Sequence, residues 1–140
     1  MVSTSPRLGD GTPFPTLYYL THPAATAAMS FLEATQVMNE FNELLSNDED
    51  LRSAYAAAHT AYLADRASIL AVPEIENFSA GGMPVRVKCL HALAGHALAA
   101  GAGVNPIGDL ALARSTWSPS VCACVDYEGI PAQDSAKPAE

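Results

Sequence analysis

The strongest hydrophobic pattern in the chain is SAGGMPVRVKCLHALAGHALAA (Ser79–Ala100), an almost wholly apolar stretch behind two glycines. At 100° per residue, Val87, Leu90, Leu93, Ala94, Ala97 and Leu98 fall on one broad face. The opposite side carries Lys88, Ala92, Gly95 and Ala99. A helix that is apolar and small nearly all round has neighbours on most sides, so the pattern predicts a central helix. Gly81 and Gly82 permit a bend, and Pro84 suits a first helical position, where a missing N–H costs nothing. The expected helix therefore starts at Pro84, with Arg86 aimed into its apolar face.

Before it, punctuation alternates with amphipathic runs. Met1 to Pro15 holds Pro6, Pro13, Pro15, Gly9 and Gly11, which predicts an irregular arm with a turn at Asp10-Gly11. Thr16–Thr21 (TLYYLT) is aromatic and β-branched, as a short strand would be. One strand makes no sheet, and the other extended run, Ser120–Val125, is its expected partner. Pro23, just inside a cap at Thr21, opens a helix to Ala34 with Ala28, Phe31 and Leu32 inward. Met38, Phe41, Leu44 and Leu45 continue the period after a break near Thr35. Ser46-Asn47-Asp48-Glu49 has capping-box form, and the helix it starts reads to about Leu70, burying Leu51, Tyr55, Ala58, Tyr62 and Ile69. His59 sits at the edge of that stripe as a packing residue. Val72–Phe78 is a loop. Beyond the glycine stop at Gly101 and Gly103, Asn105 caps a short helix from Pro106 through Ala113. The sum is a mainly α fold, a compact bundle of about four to five helices with an extended N-terminal arm and at most a small two-stranded β-ribbon. The domain is expected over residues 1–127, the arm over 1–21, and a disordered tail over 128–140.

Composition narrows the function classes. A chain of 140 residues with 49% hydrophobic content fits one domain with a modest core. The net charge of −8 and pI near 4.8 argue against nucleic acid or an anionic membrane as partner. No basic-then-apolar leader opens the sequence, and glycines and histidines break its longest apolar run, so no membrane insertion and a cytoplasmic location are expected. Three cysteines cannot all pair within one chain, which favours free thiols or metal ligands.

Two sites compete for attention. A glycine loop feeding a helix start offers free N–H groups and a positive dipole end to an anion. Arg7, Arg86 and Lys88 could converge there on a phosphate or carboxylate, with Tyr18, His91, Asn105 and Asp109 donating or accepting hydrogen bonds and Asp10 orienting Arg7. The plainer alternative pairs Arg7 and Arg86 with Asp10 and Asp109. A zinc ion is the candidate cofactor of the second site, with Cys89, Cys122, Cys124 and His22 as ligands. On a continuous helix Cys89 and His96 share a face but stand about 10 Å apart, and His91 points away from both, so that helix would give a metal one ligand. Buried structural thiols are the alternative. For catalysis, His91 with Asp109 or Asp10 is the available acid–base pair, and none of the G-x-S-x-G, phosphate-loop or H-E-x-x-H motifs occurs. No reaction is indicated. A protein-binding reading rests on the helices between Ala24 and Leu70, which could present a groove to a partner helix.

Two blocks carry a resemblance: PRLGDGTPFPTLYYLTHP (Pro6–Pro23), and SAGGMPVRVKCLHAL with the following GVNPIGD (Ser79–Leu93, Gly103–Asp109). In them the chain resembles the bacterial, mainly actinobacterial, domain-of-unknown-function family 501. The resemblance implies no established activity. Family genes often stand near those for a septum formation initiator protein, enolase and an exopolyphosphatase-like enzyme, which implies a division-associated protein as partner. Family members often carry Pro at the position of Gly9, an acidic residue at Val85 and Cys at His22, the last exchange preserving ligand character. They also commonly carry a cysteine-containing segment ahead of Pro6, and Met1–Ser5 contains no cysteine.

Overall fold

A computed structural model describes residues 1–121, and at its centre lies the helix that the apolar stretch predicts. The elements run β1 (Val2–Ser3), β2 (Tyr18–Tyr19), α1 (Pro23–Ala34), α2 (Val37–Asn47), α3 (Glu49–Ile69), α4 (Leu90–Ala100) and α5 (Pro106–Arg114), with a single 3-10 turn at Pro73–Ile75. The fold is mainly α, with one small antiparallel ribbon. Seven consecutive-neighbourhood positions of α4 show why it is central: Leu90 and Ala92 through Ala97 are all buried. Helices α1 and α5 and strand β2 all pack on it. The closest approach is to α5, where a Cβ on Gly108 would overlap the Leu93 carbonyl oxygen.

Helix ends follow local chemistry. Asp48 caps α3 by accepting from the Leu51 N–H at 2.9 Å, and Asn105 caps α5 by accepting from the Gly108 N–H at 3.0 Å. The break between α1 and α2 falls at Gln36, whose φ of 63° is left-handed, while the Thr35 hydroxyl donates back to the Phe31 carbonyl at 3.0 Å.

Several expectations need correction. Helix α4 starts at Leu90, six residues after Pro84 in the sequence, and residues 81–85 form turns instead. Arg86 consequently lies ahead of the helix and is exposed, so it does not enter an apolar face. The ribbon partner of Tyr18–Tyr19 is Val2–Ser3, and the expected partner, Ser120–Val125, lies outside the described residues except for Ser120 and Val121. The arm is also more regular than its prolines suggest. It folds as a hairpin, with Thr4 N–H on the Leu17 carbonyl at 2.8 Å, Phe14 N–H on Pro6 at 2.8 Å and Leu8 N–H on Thr12 at 2.9 Å. Pro6 and Pro15 serve there as acceptors, taking the Phe14 N–H and the Arg66 guanidinium, roles that need no proline N–H. Phe31 is 65% exposed, and Leu44 and Ile69 are exposed too, where an inward position was expected. Residues 122–140, which include the expected tail and Cys122 to Val125, lie outside the described residues.

The inward position near the end of α3 belongs to Arg66, only 4% exposed. A buried guanidinium needs acceptors, and it donates to the carbonyls of Pro15, Ile75 and Phe78. One side chain thus ties the arm and the post-α3 loop to the same helix. Arg66→Met should strand these three carbonyls and lower stability by about 3 kcal/mol or more, while Arg66→Lys, charged but without the fork, should fall between. Urea denaturation midpoints measure the order.

Candidate functional site

The site begins with the question of why α4 starts so late. Val87 is β-branched and favours extended backbone. Asn42 of α2 then takes both backbone groups of Val87, its Oδ1 accepting from the N–H at 2.8 Å and its Nδ2 donating to the carbonyl at 3.1 Å. Tyr55 donates to the Arg86 carbonyl at 3.2 Å. Finally Glu33 of α1 accepts from the Leu90 N–H at 2.7 Å, capping the helix from a distance of 57 residues in sequence. Residue 89 is therefore extended (φ −150°, ψ 110°), the position just before the helix.

That conformation brings Cys89 and His91 together, against the expectation from a continuous helix. One ligand atom each from Glu33, Cys89 and His91 lies within 4.8 Å of the other two. His91 Nδ1 is 3.1 Å from Glu33 Oε1, and its Nε2 stands 3.2 Å from both the Thr26 carbonyl and the Ser30 hydroxyl. Burial, with the Glu33 carboxylate beside it, pushes the Cys89 thiol above its ordinary value. As the protein stands, this thiol is protonated and a poor nucleophile at neutral pH.

Cys89 and His91 open onto a cavity of about 430 Å³ between the arm and the start of α4. Thr16, Tyr18, Tyr19 and Leu20 line it from the arm, Thr26 from α1, Ala80 and Gly81 from the turn, and Ala92 from α4. A hollow of similar size, about 440 Å³, lies beside the end of α3. Its one ionic side chain besides Glu76 is Arg66, already committed to carbonyls, so it offers little chemistry.

Under the cavity wall sits a buried aromatic cluster. Tyr18 stacks on His96 with ring centres 5.9 Å apart, and Tyr62 meets both edge-on at 5.7 and 5.1 Å. Asn105 Nδ2 is 3.1 Å from His96 Nδ1. With the amide as donor, Nε2 carries the imidazole proton; it has no hydrogen-bond partner, and Asp65 Oδ2 is 3.9 Å away. The Tyr18 hydroxyl donates to Asp65 at 2.9 Å, and burial together with that carboxylate pushes Tyr18 up to about 12. Burial pulls His96 below its ordinary value, with Asp65 opposing.

Of the residues expected to bind an anion, Tyr18, Gly81 and His91 do meet, around the cavity. The rest lie elsewhere. Arg7 pairs with Glu74 through two hydrogen bonds of 2.8 and 2.9 Å rather than with Asp10, and Asp10 accepts from the Thr12 N–H at 2.9 Å. Asp109 accepts from the Gly103 N–H at 2.8 Å, so neither aspartate partners His91. Gly82 lies in a turn, where its own carbonyl accepts from the Val85 and Arg86 N–H groups, and Gly81 accepts from Lys88. No helix start stands there to receive an anion. Arg86 and Lys88 are exposed. Of the expected metal ligands, His22 packs against Trp117 with ring centres 5.6 Å apart. Among the described residues it joins no cluster with Cys89, and Cys122 and Cys124 are outside them. Glu33, Thr16 and Thr26 were not legible as site residues. Nothing in the local pattern of α1 marks Glu33 as a partner of α4.

These features define a mainly α domain with a hairpin arm, and a half-open cavity edged by thiol and imidazole. Over residues 1–113 the chain matches the model of the family described as Protein of unknown function (DUF501), and it belongs to that family. Comparison with curated proteins and with solved structures gives no match. No helix among the described residues is long and apolar enough to cross a membrane.

Buried His96 and half-buried His59 set a pH dependence. His96 and His59 are both held below the ordinary value of about 6.5, chiefly by burial. The unfolded chain therefore takes up their protons first as pH falls, and stability that is full above about pH 6.5 drains away below it. The melting temperature should drop on going from about pH 8 to about pH 5, and His96→Gln should make that drop shallower.

Proposed function

We propose that this domain is a cytoplasmic small-molecule-binding protein whose ligand occupies the cavity between the arm and α4. The observation that carries this is the cavity itself: about 430 Å³ with Thr16, Thr26, Cys89 and His91 as polar groups among apolar and tyrosine walls. That volume suits a small ligand, and apolar walls with a few placed polar groups are the usual composition of such sites. The ligand this wall suits has an apolar body and a neutral or singly charged head. A multiply charged phosphate is served poorly, because no lysine or arginine lines the cavity and Arg7 is bound to Glu74. A thermal-shift screen across neutral amphiphiles, monocarboxylates, phosphates and nucleotides tests the reading. Ala92→Leu, which narrows the cavity, should weaken the best compound by about tenfold, or 1.4 kcal/mol. A nucleotide or polyphosphate as best binder, indifferent to Ala92→Leu, would refute it.

A second reading is an adaptor for a division-associated protein. Exposure of Phe31 and Leu44 on α1 and α2 favours it, since large apolar side chains on a surface helix often face a partner. Phe31→Ser should weaken capture of the septum formation initiator protein without changing the response to cavity ligands. Equal capture by both forms removes this reading.

A further inference from the structure

We infer that Glu33, Cys89 and His91 form a zinc site with one open coordination position towards the cavity. The inference stands on its own donor set and does not require an organic ligand in the cavity.

The donors come first. One carboxylate, one thiol and one imidazole, with an atom of each within 4.8 Å of the others, are a zinc-type mixture of oxygen, sulfur and nitrogen. Zinc bonds to oxygen and nitrogen of about 2.0–2.1 Å imply donor atoms roughly 3.3 Å apart around a tetrahedron. Glu33 Oε1 and His91 Nδ1 are already 3.1 Å apart. The longer zinc–sulfur bond, about 2.3 Å, leaves room for Cys89 at the third corner without refolding.

The second observation concerns His91. Both of its ring nitrogens face acceptors: Nδ1 the Glu33 carboxylate, and Nε2 the Thr26 carbonyl, with the Ser30 hydroxyl able to serve either way. A neutral imidazole has one N–H for these two acceptors. A metal on Nδ1 resolves the mismatch, because Nε2–H then donates to Thr26. That is the outer arrangement which ligating histidines commonly adopt.

The scaffold is also in place before any metal. The Leu90 N–H holds Glu33 Oε1, Asn42 holds Val87 extended, and Cys89 stands outside the helix as a result. Two of the three donors line the cavity, so solvent or a ligand head can take the fourth position, as in zinc sites that keep one place open. On binding, the Cys89 S–H bond breaks, its proton leaves to buffer and its electron pair binds the metal. Thiolate and carboxylate together neutralise the dication.

The test uses the full chain, stripped of metal and titrated with Co²⁺ and then Zn²⁺ at neutral pH. Wild type should show tetrahedral cobalt absorption with a thiolate charge-transfer band, bleached by about one equivalent of zinc with proton release. Cys89→Ser should lose that band, and His91→Gln should weaken zinc by more than the roughly 10–100-fold that loss of an outer partner costs. Cys122→Ser with Cys124→Ser should leave the band intact. Wild type without the band overturns the inference, whatever the variants do. So does a band that survives Cys89→Ser or disappears when Cys122 and Cys124 are replaced.

Discussion

One hydrogen bond decides where the central helix begins: the Glu33 carboxylate on the Leu90 N–H. A helix start leaves N–H groups without intrahelical partners, and the usual remedy is a short polar side chain just ahead of it. Cys89 occupies that place and makes no side-chain cap, so the carboxylate of another helix does the work. Its placement has three consequences at once. It fixes the docking of α1 against α4, keeps residues 86–89 out of the helix, and turns Cys89 and His91 towards the same oxygen. Moving the helix start back to Pro84 would set those two side chains on different faces, and the cluster would not exist.

The arm is held to the helices by the same kind of contact, side chain to backbone across long sequence separations. Arg66 donates to Pro15, Tyr62 accepts from the Leu17 N–H at 2.6 Å, and Tyr18 donates to Asp65. Gly95 of α4 lies directly beneath Tyr18, where an added Cβ would be in ordinary contact with the tyrosine at 3.5 Å. A two-residue ribbon would be marginal alone. These contacts make the arm a fixed wall, so the cavity it covers has a defined shape. Buried polar groups that are all but fully bonded also specify one arrangement over its neighbours.

The helices were legible in the sequence because their signals are local. Pro23 and Asn105-Pro106 each mark a boundary within a residue of it. The Ser46–Glu49 box falls at the right junction, though Asp48 is the cap and Ser46 ends up inside α2. The Tyr55, Ala58, Tyr62 spacing marks a buried stripe that the structure keeps. What was not legible depends on partners far along the chain. Pro84 reads as a helix start, yet Asn42 and Glu33 take the backbone groups such a start would use, and neither residue announces that role. Ile69 reads as inward, but the inward position goes to Arg66, whose guanidinium meets the carbonyls of Pro15, Ile75 and Phe78 from two distant segments. For the site, Tyr18, Gly81, Cys89 and His91 were reachable because they sit in the two unusual blocks. Glu33 was not, because an acidic residue in an alanine-rich helix ordinarily faces solvent.

Charge gives the last step. An acidic chain can still bind an anion if its few cations gather, so the question is where they went. Arg7 meets Glu74 and Arg114 meets Glu40; Arg52 donates to the Leu45 carbonyl at 3.0 Å and Arg66 to three others. Arg86 and Lys88 are the remaining described cations, exposed on a segment whose backbone N–H groups at Arg86, Val87 and Lys88 are taken. No described cation lines the cavity near the arm. What stands at its edge is an imidazole and a thiol, backed by a carboxylate that the imidazole shares with a backbone N–H. Such a cluster repels an added anion and attracts a cation. Of the residues that first suggested a phosphate pocket, His91 alone stands in this cluster, and once the helix starts at Leu90 it faces a carboxylate and a thiol instead of arginine or lysine.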